Sequence, residues 1–156
     1  MTPLYRHALS AIGIAVSLFS AANATDATRV HPAAVKRVLD EARKFCEGFE
    51  NGKFSMGERA ITQHELSGDK QADTVIDASE FRCSSMASAW GGTGGSSLWV
   101  VIDGKAHNFL ARRWGVVKFD GQNVLMTAVH PSECGYVAGS CYRSHLYYQG
   151  RFYTPK

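Results

Sequence analysis

Three dipeptides constrain this chain more than any other feature: Asp103-Gly104, Asp120-Gly121 and Gln149-Gly150. Each stands between two apolar, roughly alternating runs, in "SLWVVIDGKAHNFLARR", "GVVKFDGQNVLMTAVH" and "RSHLYYQGRFYT". Asp-Gly tolerates positive φ at both positions, so each dipeptide predicts a tight hairpin. Two shorter segments, "RAITQH" and "DTVIDAS", carry β-branched residues at strand-like spacing. The second half of the chain therefore reads as an antiparallel meander.

One segment has a different rhythm. In "HPAAVKRVLDEARKFCEGFENG", Val35, Val38, Leu39, Ala42, Phe45, Cys46 and Phe49 recur at steps of three and four, which makes one apolar stripe on a helix. Pro32 suits the first turn, and Asn51-Gly52 marks the stop. These aromatics are expected in the core. A single helix laid on an antiparallel sheet gives an α+β domain over residues 25–156. No linker or low-complexity tract divides it.

The first 24 residues read differently again. Arg6 and His7 precede "ALSAIGIAVSLF", and small residues Ala22 and Ala24 flank Asn23. Basic start, short apolar middle and A-x-A end predict a signal peptide cleaved after Ala24. The apolar run is shorter than the ~20 residues a membrane span needs. The protein is thus expected in the periplasm or secreted, with no membrane span after cleavage. Its formal net charge of +3 is not gathered into a basic stripe, so nucleic acid is not an expected partner.

All four cysteines follow the leader. In an oxidising compartment an even count predicts disulfides. Three pairings are open. Cys134 and Cys141 flank "GYVAGS", a stretch able to turn, and are paired here, which leaves Cys46 with Cys83. The second bridge closes the longer loop and is expected to stabilise by on the order of 3–4 kcal/mol. The alternative is a zinc site built from His130, Cys134, Cys141 and His145. It competes poorly with oxidation, which would leave both histidines at the surface.

Chemistry-bearing candidates are few. "ELSGDKQAD" places Glu65, Ser67, Asp69 and Asp73 at alternating positions, with Gln71 able to lend its carbonyl. Alternating oxygen ligands suit calcium. Lys70, however, occupies the sixth place, where glycine permits the sharp turn, and it adds a positive charge. The expectation is a weak or degenerate calcium loop whose Asp and Ser side chains cap their own backbone. "WGGTGGSS" lacks the lysine and helix of a phosphate cradle. Ser96, Ser97, Asp103 and His107 could be drawn as a triad, but no serine lies in G-x-S-x-G. No catalytic residue and no cofactor are assigned. The late strands carry Arg112, Arg113, Trp114, Arg143, Tyr147, Tyr148, Arg151 and Tyr153. Arg and Tyr are enriched where proteins grip partners, so Arg112, Trp114, Arg143, Tyr148 and Arg151 are the candidate contact residues for a protein or an envelope glycan.

The leader, the cysteine-bearing helix, the acidic loop, the glycine-rich segment and the late cysteine pair together resemble a group of small, uncharacterised exported proteins of alphaproteobacteria. Those proteins carry a D-L-N-G-D-G-x-x-D-like loop and a C-G-x-G-G-C-S-L segment. The loop also resembles the calcium loops of FG-GAP and dockerin-type repeats. Laid on that pattern, this chain keeps Gly68, Asp69 and Asp73, has Glu65 and Ser67 for the first Asp and the Asn, and has Lys70 for the glycine. Gly91 and Ser96 stand where the group has two cysteines. Their joint absence supports two intact bridges among the remaining four. The resemblance implies compartment, fold and a calcium-type loop. The functional expectation is a non-enzymatic periplasmic or secreted binding module. The alternatives are an inhibitor of an envelope enzyme such as lysozyme, its acidic loop plugging a basic cleft, and a cell-envelope hydrolase.

Overall fold

The structure is a computed structural model and describes residues 31–135, 138–139 and 141–155. The expected signal peptide lies outside the described residues. Among those described, no helix is long and apolar enough to cross a membrane.

Helix α1 spans Pro32–Glu47, with Pro32 in its first turn as the sequence suggests. It ends earlier than Asn51-Gly52. Gly48 caps it, its N–H reaching the carbonyls of Lys44 and Cys46, and Glu50 and Asn51 then turn through left-handed conformations (φ 51° and 54°). The buried stripe is narrower than the sequence suggests. Ala34, Val38, Ala42 and Cys46 face the core, while Phe45 and Phe49 are 52% and 43% exposed, against expectation. Phe45 instead meets Trp90 edge to face.

The strands are β1 (Phe54–Met56), β2 (Ile61–His64), β3 (Asp73–Asp77), β4 (Phe81–Cys83), β5 (Gly91–Gly92), β6 (Gly95–Ile102), β7 (Lys105–Ala111), β8 (Arg113–Phe119), β9 (Gln122–Val129), β10 (Cys141–Tyr148) and β11 (Arg151–Tyr153). All pairings are antiparallel. The three predicted hairpins form at the predicted dipeptides. Asp103, Asp120 and Gln149 take φ near 50°, and each following glycine also has positive φ. That conformation matches the twist of the flanking strands.

The meander divides into two main sheets. In the first, β6 is central, with β7 along one side and β3 and β5 along the other; β2 completes the row beyond β3. The second runs β11-β10-β9-β8. The chain passes between them at Arg112, whose N–H bonds the Ala128 carbonyl at 2.7 Å, moving it from β6 to β9 as partner. Gly95 lies against this corner with φ 119°, and a Cβ there would sit 2.5 Å from the Ala111 carbonyl group. No other residue fits without movement of the backbone. A small ladder of β1 and β4, absent from the sequence reading, closes the helix end of the domain.

Three layers result: helix, first sheet, second sheet. Residues of β6 alternate between the two cores. Trp99 and Val101 join Ile76, Ala60, Ala78 and Phe81 beneath α1. Leu98, Val100 and Ile102 join Val75, Leu66, Ala111 and Leu125 between the sheets. A strand apolar on both parities is what a sheet covered on both faces requires. Each fully buried Leu or Ile contributes about 1.5–3 kcal/mol. The bridges are Cys46–Cys83, joining α1 to β4, and Cys134–Cys141, as paired from the sequence.

Candidate functional site

The acidic loop is built around its own backbone. Asp73, at the start of β3, is 5% exposed, and its Oδ2 accepts the N–H groups of Leu66 and Ser67, both at 2.9 Å. Burial pushes its carboxyl pKa up, while those two N–H bonds pull the other way. Glu65 accepts from the Gly68 N–H through Oε1 and from Asn123 Nδ2 through Oε2, and its carbonyl takes a second bond from Asn123, 58 residues away. Asp69 Oδ1 accepts from Ser67 Oγ and from the Gln71 N–H, each at 2.8 Å. Lys70 does adopt the left-handed conformation of the missing glycine, with φ 67°. Lysine was expected to resist that conformation, and here it takes it. Its oxygens accept bonds from the loop's own backbone N–H groups, donors with which a cation would compete. Among the described residues, no group of three or more His, Cys, Asp or Glu side chains is placed to hold a metal ion.

The zinc alternative dissolves for a similar reason. Cys134 and Cys141 are bonded to each other. His130 caps the short turn after β9 through Ser132. His145 is not at the surface as expected. It is 5% exposed and lies between Thr127 Oγ1 (2.9 Å from Nε2) and Thr154 Oγ1 (2.6 Å from Nδ1), with Phe109 against its ring. Burial, with Arg143 adding repulsion, pushes its pKa down to about 4. His107 packs between Tyr147 and Phe152, and burial again lowers its pKa.

Strand alternation divides the predicted contact residues. Trp114 points inward, its Nε1 donating to Asp77 Oδ2 at 2.7 Å and its ring against His64. Tyr147 also faces the inter-sheet core. Arg143 turns to Glu133, meeting both its carbonyl and its carboxylate. Arg112 sits at the corner between sheets, beside Arg113 and Tyr142. Tyr148 and Arg151 do share the outer face, directly paired across β10 and β11, and Tyr153 stands with them. The Arg151 guanidinium lies 4.5 Å above the Tyr153 ring, and its Nε donates to the Tyr153 hydroxyl at 2.6 Å.

That outer face is concave. A trough of about 620 Å³ is lined by Val117 and Phe119 of β8, Val124 and Met126 of β9, Leu146 of β10 and Tyr153 of β11. Phe119 is 74% exposed, and Val117, Tyr142 and Tyr148 are exposed too. Gly115 interrupts the β8 row and leaves open space where a Cβ would stand. The sequence reading missed the apolar members. Their signal was present in the apolar runs Val116-Val117, Val124-Leu125-Met126 and Leu146-Tyr147. Runs that are apolar on both parities, in a sheet whose outer face no other described element covers, leave one apolar row in solvent.

No protein-family model, no curated protein and no solved structure matches the chain.

Proposed function

We propose that this protein is a non-enzymatic, periplasmic or secreted binding module, and that it engages its partner through the outer face of β8–β11. The observation that carries this reading is the uncovered trough with Phe119, Tyr148, Tyr153 and Arg151 around it. Contiguous exposed apolar surface of this kind marks interaction sites, and aromatic residues, Met and Arg are the types enriched at their centres. The rigid, stapled sheet beneath holds these side chains in place before binding, which lowers the ordering cost.

A hydrolase draws less support. Two of the hydroxyls that meet a histidine, Thr127 and Thr154, flank the buried His145, and the exposed Ser132 meets His130 through the Nδ1 that also caps the turn by accepting the Ser132 N–H. An inhibitor acting through the acidic loop also draws less support, because Glu65 and Asp73 accept bonds from within the domain. The lining of the trough offers mainly hydroxyls as polar groups, from Ser144, Tyr153 and Thr154, and so favours an apolar partner over a glycan.

The test is an amide-resolved NMR titration of the purified protein with lysozyme, soluble peptidoglycan fragments and anionic detergent. Any ligand that binds is expected to perturb β8–β11 around Val117, Phe119 and Tyr153. A footprint centred on residues 65–73, or turnover of the glycan, would overturn the reading.

A further inference from the structure

Beyond a binding face in general, the charges around the trough specify what lies in it. On the outer parity of β8, β9, β10 and β11 stand the cations Arg113 and Arg151 and no Asp or Glu, while Lys118 and Arg143 alternate to the other face. Arg143 meets Glu133. Among the described residues Arg151 meets no carboxylate. It is held over Tyr153, which itself lines the trough, by a ring contact and a hydrogen bond from Nε. That arrangement commits one nitrogen of the guanidinium and fixes the plane of the rest. An arginine oriented in this way suits the fork-shaped recognition of a carboxylate or phosphate. Arg113 lies on the same face towards the opposite end, paired with Ala128.

The trough adjoining Arg151 has the size of a small-molecule site, 300–1,000 Å³ being the usual range. Its walls are aliphatic and aromatic along their length, from Phe119 through Val117, Val124 and Leu146 to Met126 and Pro155. The open position at Gly115 leaves the β8 side unobstructed next to Met126. Long apolar walls and one pre-positioned cation at the rim are complementary to a molecule with an unbranched apolar body and a single anionic end.

We propose that the outer trough of β8–β11 binds a single-chain anionic amphiphile, its chain along Val117, Val124 and Leu146 and its anionic head at Arg151. This rests on the assignment of the outer face as the binding surface. Phe119 closes one side of the chain, and Tyr153 both lines the trough and holds the cation that selects the head.

The experiment uses the purified protein with laurate, dodecanol and dodecylammonium below their micellar concentrations, read by calorimetry and by NMR footprint. Laurate is expected to bind at the trough about tenfold more tightly than dodecanol, with dodecylammonium weakest. Arg151→Gln should bring laurate down to the dodecanol affinity and leave dodecanol unchanged. Val117→Gln, on the exposed edge strand, should weaken all three. Equal binding of laurate and dodecylammonium, or an unaltered laurate affinity in Arg151→Gln, overturns the anionic head. No binding of any chain overturns the amphiphile. None of these results touches the binding-face assignment, which fails if a ligand that does bind maps elsewhere. A laurate footprint away from Val117 and Tyr153 overturns both.

Discussion

Acid should weaken this fold through one residue above all, His145. The ring is closed between Thr127 and Thr154 and is held neutral, with a pKa of about 4. In the unfolded chain the same imidazole titrates near 6.5. Between those values the unfolded state binds a proton that the folded state refuses, so stability is complete above pH 6.5 and is lost as pH falls towards 4. The slope is about 1.4 kcal/mol per pH unit, and the full window is worth about 3 kcal/mol. His64 and His107, whose pKa values are also lowered by burial, act in the same direction. Asp73, with its pKa raised, acts in the opposite sense: its ionisation costs stability as pH rises above the ordinary carboxylate range. The comparison that isolates His145 is urea unfolding of the native protein and His145→Gln at pH 7, 6, 5 and 4.5. Glutamine can still reach both threonines but does not titrate. The variant is expected to be less stable at pH 7 and to lose about 2 kcal/mol less than the native protein on going to pH 4.5. Parallel pH profiles, or an NMR titration placing the His145 ring near pH 6.5 in the folded state, would refute the argument.

Other consequences follow from the loop and the bridges. Adding a calcium chelator should move Tm by no more than about 1 °C, because the loop oxygens are held by N–H donors; a fall of several degrees in a thermal scan would show an ion contributing to the fold. Asp73→Ala leaves the N–H groups of Leu66 and Ser67 without their acceptor and should cost about 2–4 kcal/mol in chemical unfolding, with local exchange of both amides. Replacing Cys46 and Cys83 together by Ala should cost about 4 kcal/mol, and replacing Cys134 and Cys141 about 2 kcal/mol, since their separations are 37 and 7 residues. The reverse order of losses would count against chain entropy as the origin of the stabilisation. Thiol titration of the unfolded, unreduced native protein should find no free sulfhydryl.

Several parts of the structure are legible in the order of residues. Asp103-Gly104, Asp120-Gly121 and Gln149-Gly150 specify turns through a conformational preference confined to two residues each, and the register of every adjoining hairpin follows from it. The spacing of Val38, Ala42 and Cys46 specifies the buried side of α1. The short interval between Cys134 and Cys141 makes their pairing the cheapest closure available. Where the helix would stop was less legible: Gly48 ended it before Phe49, which is exposed, and Phe45, though inside the helix, stands beside the buried row and is half exposed against Trp90.

Facing direction was the property that linear order left open. A period of two assigns Trp114 and Arg113 to opposite sides of β8 but does not say which side a second sheet will cover. With Val116 and Val117 both apolar, either was acceptable. The choice was made when β9 and β10 came to pack over β6 and β7, drawing Trp114 to Asp77 and leaving Phe119 and Val117 outside. Burial of His145 was decided in the same way, by Thr154 from β11's end and Phe109 from the opposing sheet. So was the engagement of Glu65 by Asn123, a partner more than fifty residues away. Turn preference and helical spacing act between near neighbours and are written in the chain. Which carboxylates are engaged, which histidine is dry and which apolar row meets the outside depend on contacts that exist only once the layers have closed.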